Sequence, residues 1–236
     1  MSQIFIVIIS SWLAGAAAIA GGVFGALEPS SESDAKSEFI HGVVAFGGGI
    51  LVAAVAFALV PEGIEYLSSL MLGGLFVLGG AAFCALDVYL SRTGGTKAQF
   101  MAMLMDFIPE AISLGAVFAH AHKFGIMLAL FIGLQNLPEG FNSYRELKSS
   151  GNKTGSILFS FFAVSFLGPL AALVGFLFLQ DYHQLTAGIM VFAGGGILYL
   201  VFQDIAPLSK MKHRWLPSLG AVLGFVIGMM GKKLLG

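Results

Sequence analysis

Charge is scarce in this sequence. Asp, Glu, Lys and Arg make up 11% of its 236 residues, while apolar types make up 57%. An average soluble domain carries about 25% charged residues, and a water-exposed surface of this size cannot be covered with so few. That deficit excludes a soluble enzyme and a disordered chain. Basic residues are thin as well. The formal net charge is -1, and no basic patch is dense enough to track a phosphate backbone, which excludes a nucleic-acid partner. Cysteine occurs once, at Cys84, so no intrachain disulfide can form. Within its apolar run Cys84 reads as a buried small hydrophobe. Two motifs are missing. Without G-x-x-x-x-G-K-[ST] the chain has no direct ATP drive of its own, and without H-E-x-x-H it lacks the usual hydrolytic zinc signature.

What the chain does have is oil, with Gly (32) and Phe (22) abundant and a mean hydropathy of +0.90. Eight apolar runs fit the roughly 20 residues a membrane helix needs: 4–27, 39–61, 66–90, 99–121, 124–144, 156–179, 185–206 and 216–235. Their length excludes the short alternating strands of a membrane barrel. The expected fold is an all-α integral membrane protein, with residues 1–236 as a single transmembrane domain. The first run has no positive flank and exceeds a signal-peptide core, so it reads as a retained helix. The linkers Glu28–Glu38 and Arg145–Gly155 are short and polar, and the first reads as a solvated acidic stretch. One side of an eight-span chain collects Lys36, Arg92, Lys97, Arg145, Lys148, Lys153, Lys210, Lys212 and Arg214, against Lys123, Lys232 and Lys233 on the other. That bias places the first group in the cytoplasm and both termini outside.

Two segments repeat. Gly47-Gly48-Gly49-Ile50-Leu51 precedes Pro61, and Gly194-Gly195-Gly196-Ile197-Leu198 precedes Pro207. They lie five spans apart and so run in opposite directions. An inverted repeat, as used by secondary transporters, accounts for this; chance likeness of two Gly-rich helices is the bland alternative. Spans 4 and 5 form a second antiparallel pair, with Asp106-Phe107-Ile108-Pro109-Glu110 matched by Gln135-Asn136-Leu137-Pro138-Glu139-Gly140.

These motifs put carboxylates where they are costly. An ionised Asp106, Glu110 or Glu139 at membrane depth costs a few kcal/mol or more unless neutralised, and no Lys or Arg lies inside any span. Asp106 and Glu110 share one helix face at i,i+4, as do Gln135 and Glu139. Antiparallel neighbours can aim these faces at one another, giving four oxygen donors suited to a divalent cation. Pro109 and Pro138 each withhold an N–H from a carbonyl one turn back, so polar oxygen is exposed beside the charges. Protonated glutamates in a purely structural pair, or a proton relay, are the competing readings.

Other polar groups are less telling. Asn136 and Asn142 extend the span-5 polar face, as ligands or as packing contacts. Gln203 and Asp204, near the inner end of span 7, line an exit path or sit at the interface. Glu62, Glu65 and Asp87 read as interfacial, His41 as a capping or packing residue, and His213 as part of a solvated basic loop. His120, His122 and His183 fall on outer turns, with weak metal capture as the sharper reading.

The eight spans, outward termini and successive Pro-Glu helices resemble the ZIP (Zrt-, Irt-like) metal transporters. The Gln135–Gly140 stretch is similar to their GufA-like bacterial branch. The resemblance covers nearly the whole chain. It implies uptake of divalent transition metal, usually zinc and often iron or manganese, across the cell (inner) membrane, with cadmium as a further substrate and no prosthetic group. It implies a homodimer in the bilayer and a 3+2+3 helix arrangement, with spans 1, 4, 5 and 6 moving against spans 2, 3, 7 and 8. The family's primary metal site falls on Asp106, Glu110, Gln135 and Glu139, with Asn136 beside it. Three positions depart from the family pattern: Phe107 stands where Asn is usual, Asn136 where this branch often has Asp, and Gly168 where related chains carry Glu before Pro. These changes predict one principal metal rather than two. Loss of His from the span-4 motif hardens the donor set toward Mn, Fe(II) or Mg, although zinc binds carboxylates well. The expected activity is that of a carrier. A metal- or proton-conducting channel is the alternative, and a metal-dependent intramembrane enzyme a distant third.

Overall fold

The computed structural model describes residues 3–28, 33–92, 98–212 and 214–235; Lys97, His213 and the middle of the Glu28–Glu38 linker lie outside them. All regular structure among the described residues is helical. The rods are α1 (Gln3–Ala26), α2 (Asp34–Tyr66), α3 (Ser69–Arg92), α4 (Ala98–Phe118), α5 (His122–Ser149), α6 (Thr154–Leu179), α7 (His183–Ser209) and α8 (Leu216–Leu235). Among the described residues six stretches are long and apolar enough to cross a membrane: α1, α2, α3 as far as Tyr89, α5, α6 and α7. The protein is a multi-pass helical membrane protein.

Helices outrun the apolar stretches at polar ends. α2 begins at Asp34 because Ser33, in an extended conformation, caps it and accepts the Lys36 N–H at 3.2 Å. α5 continues to Ser149. The linker from α1 to α2 is not simply solvated: Glu28 pairs with Lys36 (2.9 Å) and Arg145 (3.1 Å), while Arg214 reaches Asp34 (3.1 Å) and Glu38 (3.7 Å). These ion pairs tie α1, α2, α5 and the start of α8 together at the basic end of the bundle.

Glycine sets how closely the rods pack. α1 lies against α5, α4 against α6, α2 against α8 and α3 against α7. In each pair a side chain in place of glycine would collide with the partner's backbone: Gly21 with Leu137 and Gly140 with Ala18, Gly115 with Ala172 and Gly175 with Ile112, Gly49 with Ala221, Gly195 with Phe76. Such close approach compensates for the lack of a hydrophobic drive between helices in lipid.

The two repeated segments also share a local irregularity. α2 widens into a π turn at Val55–Leu59, and α7 does so at Val201–Ile205. In each the next residue, Val60 or Ala206, donates five residues back, to Val55 or Val201, and a proline follows. Pro61 and Pro207 offer no N–H, so the ladder cannot continue in register there, and the π turn absorbs the offset. α6 is interrupted at Phe166, where Pro169 lacks the donor for the Ser165 carbonyl.

Cys84 is exposed rather than buried. It sits on α3, an edge helix that packs mainly on α7 and turns Val77, Leu78 and Val88 outward. In a bilayer an apolar run contents itself with lipid as readily as with protein, so hydropathy could not tell the two apart.

The close α3–α7 approach gives a direct test. Gly195→Ala must separate the helices and is expected to cost about 1–3 kcal/mol as an overpacked contact, read as a lower melting temperature in detergent. Gly73→Ala, with nothing within 4 Å of the added carbon, is expected to melt like the parent.

Candidate functional site

α4 and α5 remain helical through Pro109 and Pro138 and pack side by side. Their polar faces meet in the middle of the bundle. Asp106 (2% exposed), Glu110 (1%), Gln135 (1%) and Asn136 (2%) are buried there, and Glu139 is half-buried. The Gln135 amide donates from Nε2 to Glu110 Oε2 at 2.6 Å. Asp106 lies in the electrostatic field of Glu139 and of Glu110. The ring of Pro138 packs at Gly47 of α2, where a Cβ would stand 2.7 Å from it. Pro138 of α5 is thus seated on the glycine triplet of its neighbour.

The electrostatic balance at this site is one-sided. Asp106 Oδ1, Gln135 Oε1, Asn136 Oδ1, Glu139 Oε2 and Ser143 Oγ are all buried without a hydrogen-bond partner. The two amide oxygens can only accept, as can the two carboxyl oxygens when ionised. A buried polar atom without a partner costs about 1–3 kcal/mol, and more if charged, a cost that a proton on a carboxyl group or a bound cation relieves. No Lys or Arg does so, because the ion pairs of the described residues all lie at the basic end.

The expected four donors arrive as two pairs rather than one closed cage. Glu110 and Gln135 are bonded to each other, whereas Asp106 and Glu139 line a small cavity of about 40 Å³. Among the described residues no three His, Cys, Asp or Glu side chains gather around one point. Like charges in a poorly screened interior hold one another off, and the Gln135 amide engages one of them. Asn142 and Ser143 share the cavity wall, as does Asp204 of α7. Gln203 is exposed and absent from that wall, since adjacent helical residues point about 100° apart. Ser143 was missed by sequence reading, although its spacing of four from Glu139 places it on the same face. Asp87, read as interfacial, accepts a hydrogen bond from Tyr199 at 2.9 Å and, with Glu146, lies in the electrostatic field of Asp204.

Asn136 acts first as a packing contact, donating from Nδ2 to the Ala14 carbonyl of α1 at 3.0 Å. Phe107 fills the neighbouring space. Its ring tip sits where a Cβ on Gly15 or Gly168 would come within 2.7 Å of it. His41 makes a local bond, Nδ1 to the Ser37 carbonyl at 2.6 Å. Phe107→Ala would empty the slot between Gly15 and Gly168 at a cost of about 3–5 kcal/mol, measurable as a loss of thermal stability of the purified protein.

No family model matches the chain. It is 31% identical over 153 residues to the zinc transporter GufA of Myxococcus xanthus. The match covers 61% of this chain and 59% of that protein, so the chain spans about three fifths of the length of the curated relative. This similarity bears out the resemblance to GufA-like ZIP transporters that the paired Pro-Glu helices carry.

Proposed function

We propose that the chain is a carrier that moves divalent transition-metal cations, zinc foremost and iron, manganese or cadmium besides, across the cell (inner) membrane into the cytoplasm. One observation carries this reading: a set of buried oxygen acceptors on α4 and α5 that lacks any cationic or donating partner. Asp106, Glu110, Gln135 and Glu139 bind the ion, with Asn136 at the margin. Three carboxylates exceed the charge of a divalent ion, so one stays protonated when the metal is bound. Phe107, wedged between Gly15 and Gly168, takes up space that a second site would need, which supports one principal ion.

All eight rods cross the bilayer, with the basic end inside and both termini outside. The helix pairings support an inverted repeat. Exchanging spans 1, 2, 3 and 4 for 6, 7, 8 and 5 converts α1–α5 into α6–α4, α2–α8 into α7–α3 and α2–α5 into α7–α4, and each of these contacts exists. Grouped as 3+2+3, α1, α4, α5 and α6 rock against α2, α3, α7 and α8. A homodimer, which the resemblance implies, has the outer face of α3 at its disposal, where Gly73 and Gly74 border open space.

The cavity beside Asp106 and Glu139 extends toward Asp204, which receives the ion on its way in. On the opposite side Leu59, Leu114, Val117, Phe131 and Met190 form a layer of buried apolar side chains. A channel needs a continuous wet path, and this layer favours a carrier that exposes its site to one side at a time.

Glu110→Ala and Glu139→Ala are each expected to abolish zinc uptake into proteoliposomes while the protein still inserts and purifies as a folded species. Normal uptake by both would falsify the site. Uptake by the parent is also expected to weaken as the outside is acidified, because protons compete with metal for the same carboxylates. A rate that is flat from neutral pH down to about pH 4, where carboxylates ordinarily take up protons, would contradict a carboxylate site.

A further inference from the structure

A second cavity opens at the other end of the bundle, where α2, α4, α6 and α8 finish. It holds about 630 Å³ and is lined by Glu62, Glu65, Tyr66, His120, His122 and His183, among others. Three of the five histidines in the sequence therefore surround one opening. His120 comes from the turn after α4 and His183 from the first residue of α7, and their ring centroids lie 5.1 Å apart. Both rings are exposed.

Each ring is held from behind. His120 Nε2 is bonded to the Gln180 carbonyl. A carbonyl only accepts, so Nε2 carries the proton, and the lone pair of the neutral ring is on Nδ1. Metal-binding histidines are oriented in just this way, by a backbone carbonyl on the other ring nitrogen. The His183 ring stacks on Tyr66 at 5.3 Å, with the planes 16° apart. The third ring, His122, is turned edge-on to Phe118 instead.

We propose that His120 and His183 form a shallow capture site for borderline transition cations such as Zn(II) and Co(II) at the mouth of the protein. Net charge does not recruit the ion, because Lys123 and Lys232 share the cavity with Glu62 and Glu65. The donor type does: imidazole suits zinc and cobalt and discriminates against Mg(II) and Ca(II), which prefer oxygen. Two protein ligands, with water completing the shell, hold an ion weakly enough to release it, as a waiting position requires. The cavity wall includes Val117, a member of the buried apolar layer, so a captured ion waits directly above the side of the central site that this layer covers. Binding at the mouth needs no central site; its role in transport rests on the reading given above.

The test uses the full-length protein with Glu110→Ala and Glu139→Ala together, which leaves the mouth intact. Titration with Co(II), followed by its visible d–d absorption, is expected to show a saturable signal that excess Mg(II) does not displace. Adding His120→Ala and His183→Ala is expected to weaken that binding about tenfold or more, whereas adding His122→Ala leaves it unchanged. Absence of a signal in the double glutamate variant, or its survival after loss of both histidines, would overturn the proposal. So would an equal loss from His122→Ala alone. In proteoliposomes containing the otherwise native chain, His120→Ala with His183→Ala is expected to raise the KM for zinc severalfold at unchanged maximal rate, and to leave the KM for manganese as it was. Equal effects on both metals would overturn selection by the imidazole pair. Failure of the central-site reading would instead appear as normal uptake by the glutamate variants, with no change in the cobalt result.

Discussion

Oxygen acceptors confined in a low-dielectric interior without donors impose the constraint around which this molecule is organised. Asp106, Gln135, Asn136, Glu139 and Ser143 each keep a buried oxygen unpaired, and Glu110 is satisfied only by sharing the Gln135 amide. In water such groups are cheap. In hydrocarbon they hold together only if the surrounding helices keep lipid away and a proton or a cation balances them. A site of this kind is a poor contributor to stability, and the remainder of the bundle must supply what it withholds.

The bundle does so by proximity. Glycines bring α1 onto α5, α4 onto α6, α2 onto α8 and α3 onto α7 at backbone contact. Pro138 is seated at Gly47, so the turn of α5 that carries Glu139 is positioned by the same device.

The two ends of the bundle differ in chemistry. At the basic end Glu28, Asp34, Glu38, Lys36, Arg145 and Arg214 close on one another in ion pairs. At the opposite end histidines and glutamates border an open cavity. Between that cavity and the carboxylates lies a layer of buried Leu, Val, Phe and Met side chains. A hydrated ion cannot cross such a layer without movement of the helices, because its water has nowhere to bond.

How much was legible in advance depended on the range of the interaction. Helical class and the approximate rods follow from apolar run length, a local property of the chain. The pairing of Asp106 with Glu110 and of Gln135 with Glu139 follows from helical spacing, and the repeat of α2 in α7 from two glycine triplets and two prolines. The π turns that accompany those prolines were not legible, since they depend on how the ladder resumes beyond a missing donor. Nor was the exposure of Cys84, because lipid and protein interiors are equally apolar. The division of the four donors into a bonded pair and a cavity-lining pair, the separation of Asp204 from Gln203, and the approach of His120 to His183 across sixty-three positions of sequence were all decided by packing. Each requires two or more rods to be placed relative to one another, and a single chain's periodicity carries one face of a helix but not the identity of what that face meets.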